Sequence, residues 1–514
     1  MDEEFDVSED DLGFDDESED MNSENVKVSI DKELANSYYK EAGQSVEEED
    51  DQISLAVNLH LLKDELHIVI EEVILEAKLP YRPTDFQLLS LHILGSKKNL
   101  ILISPTGSGK TLIIFLGTLL MRKILNVSKG VSLITEPLNM IMAEKLQNNI
   151  LPTGVISMSG QLKTSFEQQA GVTLSKPEEE FLNGNLPCLF GHPESWLSEK
   201  GQSLIQDLHK NGRIILNVTD EMHSSLDWAK IRPQMKTLSG MIRIFSAKGA
   251  PTLAMTATAT EADVAEMKVC LGLRDNVTVL RASPVQNHMK FVALRRPANG
   301  CGFDGIVNRS GKFCPGLSHI LNTIYLKQFI GAMKTNQDVK KCIIFFRTEM
   351  QMLETYEYLL SQLPQFKDNE SIPFVMNHSI NGEATEKSFV ERRNDIKLFL
   401  TTSKMLMGLD LANIQIIVFV RPMNLLHHIL QGAGRAGRRQ ASGYREKVLV
   451  YVLYNSQDLG GNVPGLHDSV RLFCTTKCCL KKLLGDHFGG STDSRMNIEW
   501  CCSNCDMSAD QTAI

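Results

Sequence analysis

Two tandem α/β domains, each a doubly wound parallel sheet, followed by a small helical cysteine-rich subdomain, are the fold class that this sequence predicts. Three observations predict it. Short apolar runs alternate with helical stretches from about residue 80 to 280. The same alternation restarts at Lys341 and continues to about Leu453, and six of the eleven cysteines crowd the last 41 residues. Such alternation is the pattern of parallel strands joined by crossover helices. A chain of 514 residues is also too long for a single hydrophobic core.

Each segment can be justified in turn. Residues 1–51 hold 21 Asp/Glu against three lysines (Lys27, Lys32 and Lys40), a net of −18. That composition cannot bury enough apolar surface to fold, so a disordered acidic tail is expected. A solvating role is its plainer reading; competition for a basic groove, or recruitment of protein partners, is the sharper one. The rest of the chain carries +8, hidden within an overall net charge of −10. Leu55 to Ala77 has apolar residues at helical spacing. Strands are expected at Asn99–Ile103, Gly130–Thr135, Arg213–Val218 and Thr252–Thr256. Pro284 to Leu317 reads as a polar connection. A second set of strands is expected at Lys341–Phe346, Phe374–Met376, Leu398–Thr401, Ile414–Phe419 and Val448–Leu453. Gly460–Gly461 separates these from the cysteine-rich end. The expected domains are therefore 52–282, 283–457 and 458–514, after the tail. No run of about 18 apolar residues exists, and the N-terminus is acidic from its second residue. Neither a membrane span nor a secretory signal is expected.

The chemistry begins at Ser104–Thr111, SPTGSGKT, between an apolar strand and an apolar helix start. A Gly-rich turn in that context aims backbone N–H groups and the positive helix end at phosphate oxygens. Lys110 would reach the β/γ-phosphates and Thr111 would hold Mg²⁺. The usual first glycine of the motif is Ser104 here. Arg213–Val218 leads into Asp220-Glu221, which puts two carboxylates at the carboxyl edge of the same sheet. Asp220 would coordinate Mg²⁺ through water, and Glu221 would orient and deprotonate an attacking water. Thr256–Thr260, TATAT, offers small hydroxyls at another strand end to bond the acidic pair. In the second half, Gln431–Arg438, QGAGRAGR, presents two arginines three residues apart on one side. Arginines supplied across a cleft neutralise charge on a transferring phosphoryl group.

These motifs, with Thr401–Asp410 (TTSKMLMGLD), occur in the order seen in superfamily 2 helicases, and the chain resembles them. Within that group it is similar to RecQ helicases from about residue 79 to 506. The residues that carry the likeness are Met222–Pro233 (MHSSLDWAKIRP), Glu136-Pro-Leu-Asn-Met-Ile-Met, Leu253–Thr260 and Leu271-Gly-Leu273. The resemblance implies two RecA-like domains and ATP-dependent 3′-to-5′ movement on single-stranded DNA. It implies that Lys110, Thr111, Asp220 and Glu221 serve ATP and Mg²⁺, within the loop Thr106, Gly107, Ser108 and Gly109. Gln431, Arg435 and Arg438 would face the nucleotide, while Gly408 and Asp410 couple it to DNA. Trp228 and Arg232 would stack on bases and contact the DNA backbone. Arg82 and Gln87 belong to a segment like the family's adenine-reading motif. Gln87 stands two residues later than in RecQ proteins, and Pro83–Gln87 is closer to the related DEAD-box motif. Met222 stands for the family's Ala, Ser224 for Cys and Ile231 for Phe.

Clustered thiols in a chain without an export signal favour a metal over disulfides. Cys479 at a helix start and Cys501-Cys502-Ser-Asn-Cys505 supply four thiolates, the set for a closed tetrahedral Zn²⁺ site. The arrangement resembles the RecQ zinc subdomain, with Cys474 and Cys478 as spare candidates. Nine residues follow Cys505, too few for the winged helix in which many RecQ proteins continue. The expectation is a core that translocates better than it unwinds. An RNA helicase, supported by Pro83–Gln87, and a catalytically weak nucleotide-binding scaffold are the rival readings. Nuclear placement follows from the family and the acidic tail, and work in DNA repair or recombination from the family.

Overall fold

The computed structural model describes residues 65–137, 150–156, 162–164, 183–222, 242, 246–273, 277–296, 322–367, 372–376, 395–402, 413–437, 446–489 and 500–506, with the backbone of 29–30 and 56–57. The last two segments pair as a two-residue parallel ladder.

The first sheet is built from β1 (Asn99–Ile103), β2 (Val131–Thr135), β3 (Thr153–Ile156), β4 (Leu162–Thr164), β5 (Cys188–Gly191), β6 (Ile214–Thr219), β7 (Thr252–Thr256) and β8 (Val277–Arg281). Their spatial order is β8-β1-β7-β6-β2-β5-β3-β4. Every pairing is parallel except β3 with β4. Leu100, Ile101, Leu102, Leu133, Ile134, Ile215, Leu216 and Val218 are buried on both faces, as unbroken apolar runs in parallel sheets are. Helices α1 (Glu65–Glu76), α2 (Asp85–Gly95), α3 (Lys110–Ile124), α4 (Pro193–Leu197), α5 (Glu199–Lys210) and α6 (Glu261–Cys270) surround it. On α3, Leu112, Leu116 and Leu120 recur every four residues and pack on Ile70, Val73 and Leu91 of α1 and α2. Because β1, β7 and β6 are neighbours, the loops leaving their carboxyl ends converge. This juxtaposition assembles the site.

The second sheet has order β9-β14-β13-β10-β12-β11. Its strands are β9 (Met289–Arg295), β10 (Lys341–Phe346), β11 (Phe374–Met376), β12 (Leu398–Thr402), β13 (Ile414–Phe419) and β14 (Val448–Tyr454), all parallel. Helices α7 (Lys327–Thr335), α8 (Glu349–Gln362) and α9 (Leu426–Ala433) accompany it, with α10 (Asp468–Thr475) and α11 (Leu480–His487) in the cysteine-rich end. The connection expected to be polar from Pro284 to Leu317 in fact contains β9. Only Met289 and Phe291 of this edge strand are buried, and charged residues, Lys290 and Arg295, interrupt and end its apolar run.

A buried ion pair closes the end of β9. Arg296 Nη2 lies 2.7 Å from Asp458 Oδ2, both side chains being almost wholly enclosed. Asp458 also accepts the Asn455 amide at 3.0 Å. Burial pulls the Arg296 guanidinium below its ordinary range, and Asp458 opposes that pull. Asp458→Ala would strand a buried cation. It is expected to cost about 3–5 kcal/mol, readable as a lower denaturant midpoint. An unchanged midpoint would rule the pair out as a structural lock.

Candidate active site

The turn after β1 is shaped by its small residues. The Ser104 amide donates to the Thr256 carbonyl at 3.0 Å, tying the end of β1 to that of β7. Gly107 and Gly109 both sit at φ +80°, a left-handed conformation that favours glycine. At Gly109 an added Cβ would lie 2.4 Å from Gln87 Nε2. Ser104 is fully buried, and its hydroxyl bonds the Ser108 hydroxyl across the turn. The departure from the usual glycine therefore supplies a brace within the loop. Lys110 Nζ folds over the same turn, 2.9 Å from the Ser104 carbonyl.

Helix α3 begins here without a side-chain cap, whereas Thr84, Ser198 and Thr260 cap α2, α5 and α6. An uncapped N-terminus of a 15-residue helix leaves donors and the positive dipole end turned toward the loop. A triphosphate fits this cradle. Thr111 is the second residue of α3, beside Lys110.

Gln87 lies against the phosphate loop. Its Oε1 accepts the Thr84 amide at 2.9 Å, and its Nε2 donates to the Ser108 and Gly109 carbonyls at 3.2 and 3.3 Å. It completes a capping box and tethers α2 to the phosphate loop. Arg82 pairs at the surface with Glu71 of α1, at 2.6 Å.

Asp220 and Glu221 leave β6 together, each only 6% exposed. The Asp220 amide donates to the Thr135 carbonyl of β2 at 3.0 Å. Glu221 adopts φ +45°, uncommon for a residue with a Cβ, and its amide donates to Asp220 Oδ1 at 2.9 Å. Met222 follows these acids in sequence. It is buried among Ile101, Ile103, Ala254, Ala259 and Met267 beneath them. The TATAT hydroxyls divide their work: Thr256 Oγ1 donates to the Thr258 carbonyl, and Thr260 caps α6. Thr258 Oγ1 is buried at the cleft with no hydrogen-bond partner among the described residues.

Across the cleft, Gln431 and Arg435 are buried at the end of α9. Thr106, Thr258, Gln286, Met289, Leu430 and Gly434 line the seam between the sheets. Gln286 Nε2, on the connection, donates to the Thr106 carbonyl at 3.4 Å. Opposite it, a Cβ on Gly434 would fall 1.9 Å from Thr106 Oγ1. The structure thus brings the phosphate loop, the TATAT turn and the Gln431–Arg435 segment, at Gly434, to one seam, with the acidic pair at the end of the neighbouring strand β6. Arg438, Asp410, Gly408, Trp228 and Arg232 lie outside the described residues.

At the far end, the sulfurs of Cys479, Cys501, Cys502 and Cys505 lie within 4.8 Å of one another. Cys479 to Cys501 is 3.4 Å, Cys502 to Cys479 4.0 Å and Cys502 to Cys505 3.6 Å. A tetrahedral ion with Zn–S near 2.3 Å separates its ligands by about 3.8 Å, so the four sulfurs fit one. Hydrogen bonds from Cys479 and Cys501 hold the Cys502 thiol below its usual range, and the same crowding raises Cys501. A cation that displaces the protons would resolve that conflict. Cys474 instead fills apolar core, burial pushing its thiol up to about 12.

Comparison with known families accounts for both halves of the cleft. Residues 84–267 match the DEAD/DEAH box helicase model, and residues 322–440 match the helicase conserved C-terminal domain model. The chain contains a superfamily 2 helicase core. No curated protein matches its sequence significantly. Solved helicases share its fold at low identity. *S. cerevisiae* Dbp5 bound to RNA and ADP BeF3 aligns at TM-score 0.50 and 15% identity, over 82% of this chain and 92% of that one. The DUF1998 helicase MrfA bound to DNA aligns at 0.55 and 13%, over 83% and 56%. *Mycobacterium smegmatis* helicase Lhr bound to ssDNA and AMP-PNP aligns at 0.50 and 16%, over 78% and 49%. The chain thus spans about half the length of the last two.

In this helicase core the approach of Thr106 to Gly434 is a steric test of closure. Gly434 has helical φ, so Ala adopts the backbone there; Thr106 is the main obstacle, with the Leu430 carbonyl 3.3 Å away. Gly434→Ala is expected to lower ATP turnover about tenfold by holding the cleft open, and Thr106→Ala in the same chain to restore part of it. Steady-state turnover of the single and double variants measures the coupling. Strict additivity would show that the contact does not govern closure. Sequence reasoning missed Gln286, which sits in a connection without motif character.

Proposed function

We propose that the chain is an ATP-dependent DNA helicase or translocase of the RecQ type, moving 3′-to-5′ on single-stranded DNA in the nucleus, in repair or recombination. The observation that carries the choice of DNA over RNA is the four-sulfur cluster on Cys479, Cys501, Cys502 and Cys505, in the place where RecQ proteins carry zinc. The sequence Met222–Pro233, with Trp228 and Arg232 as the DNA contacts, supports the same reading. Zn²⁺ held by the four cysteines would tie Cys479 at the start of α11 to the segment around Cys502, a purely structural service.

In this reading the loop Thr106–Gly109 cradles the phosphates with its amides, and Lys110 leaves its carbonyl contacts for the β/γ-oxygens. Thr111 and Asp220 would hold Mg²⁺, which when bound neutralises charge between the β- and γ-phosphates. Glu221 accepts the proton of the attacking water; enclosure disfavours any competing solvent path. Arg435 and Arg438, with Gln431, approach the γ-phosphate as the domains close. Asp410 passes closure to the DNA. Arg82 and Gln87 form the rim near the base, Gln87 acting through the loop that it tethers. Domain limits of 52–282, 283–457 and 458–514 suit this division of labour, leaving the acidic residues 1–51 for protein partners.

ATP hydrolysis with no nucleic acid, with single-stranded DNA and with RNA tests the proposal, alongside unwinding of duplexes tailed at either end. Stimulation by DNA and unwinding only from a 3′ tail are expected. RNA-only stimulation would transfer the chain to the RNA helicases, and no hydrolysis under any condition would make it a scaffold.

A further inference from the structure

The cysteine-rich end touches the hinge between the two sheets at three successive carbonyls. The connection from Ala282 to His288 joins β8 to β9. Lys481, the second residue of α11, is only 1% exposed. Its Nζ donates to the Asn287 carbonyl at 3.2 Å and to the Gln286 carbonyl at 3.4 Å. Trp500 Nε1 donates to the His288 carbonyl at 2.8 Å. On the far side of the hinge, Arg281 Nη1 donates to the Phe488 carbonyl at the end of α11, at 2.6 Å. The module is moored to the second sheet as well: Cys502 bridges to Phe291 of β9, and Lys290 pairs with Asp506.

A fully enclosed ammonium aimed at hinge carbonyls is costly to bury, and its partners are backbone carbonyls of the connection. The side chain of Gln286, whose carbonyl Lys481 holds, is the one that reaches the Thr106 carbonyl of that loop. We propose that Lys481 is a positioning residue: through Gln286 it sets the hinge, and the cysteine-rich module thereby governs closure of the ATP cleft. The path runs from the sulfur cluster at Cys479, through two residues of α11, to the hinge and then to Thr106. Metal bound at the four cysteines would make that path rigid. Releasing it would leave the first domain able to bind nucleotide but slow to be met by Arg435.

This inference rests on the ATPase reading for one of its readouts and not for the other. The test compares the full chain with Lys481→Met and Gln286→Ala. Hydrogen exchange of the 283–289 backbone, bound metal per chain, affinity for a fluorescent ADP, and the kcat and KM of ATP hydrolysis are recorded. Lys481→Met is expected to speed exchange across 283–289 and to lower kcat about tenfold or more, with metal content and ADP affinity held. Gln286→Ala is expected to lower kcat with the metal untouched. If Lys481→Met sheds its metal, the Gln286→Ala result decides: the same kcat loss supports the proposal, and wild-type kcat overturns it. Unchanged exchange in Lys481→Met overturns it outright. A wild-type chain without ATPase activity defeats the functional proposal instead, and exchange alone then judges the hinge.

Discussion

Arg435→Ala is expected to cut ATP turnover about 10³–10⁵-fold while leaving nucleotide affinity nearly unchanged. The cleft explains the size of the effect. Arg435 is enclosed at the end of α9 and comes from the domain opposite the phosphate loop, so it meets the nucleotide only when the two halves close. Charge that develops on the transferring phosphoryl in so enclosed a place is stabilised by a fixed guanidinium far more than it would be in water. Arg435→Lys should recover little, because a point charge does not reproduce the planar fork. Single-turnover hydrolysis together with fluorescent-ADP binding separates chemistry from affinity. Turnover within tenfold of wild type would remove Arg435 from the proposed machinery.

Glu221→Gln should lower turnover by about 10²–10⁴-fold, the usual range for loss of a positioned base. Gln keeps the shape and leaves the left-handed backbone at φ +45° as it is, so the loss would report the carboxylate alone. Asp220, which accepts the Glu221 amide, would still hold the turn. A thermal melt checks that the fold survives, and nucleotide affinity should hold. Retained turnover would sink the assignment of Glu221 as base.

How much was legible in the sequence depended on whether the signal was local. Leu100–Ile103 and Ile215–Val218 announced themselves because strands buried on both faces are continuously apolar. The loop Ser104–Thr111 and the pair Asp220-Glu221 were legible because strand-end chemistry is written in adjacent residues. Thr84-Asp-Phe-Gln87 also spells a capping box, a purely local reading that was open in the sequence and that the structure adopts. β9 was hidden because only Met289 and Phe291 of Met289–Arg295 are buried. Lys481 could not have been found at all, since a lysine in Leu480-Lys-Lys-Leu looks like a solvated helix face. Its burial exists only because a segment almost two hundred residues earlier in sequence, by the 195-residue separation from Gln286, lies against it.

The bridge from Cys502 to Phe291 carries a consequence for how the protein is made. β9 is the outermost strand of the second sheet, and the side not occupied by β14 is met by the segment at Cys502 and Ser503. During synthesis that strand emerges long before the cysteines that cover it, and pairings of such range form late. Until they form, an open strand edge is a template for other chains. With metal at the four cysteines as proposed, metal supply during expression is expected to set the soluble yield; equal yield with and without added zinc would refute it.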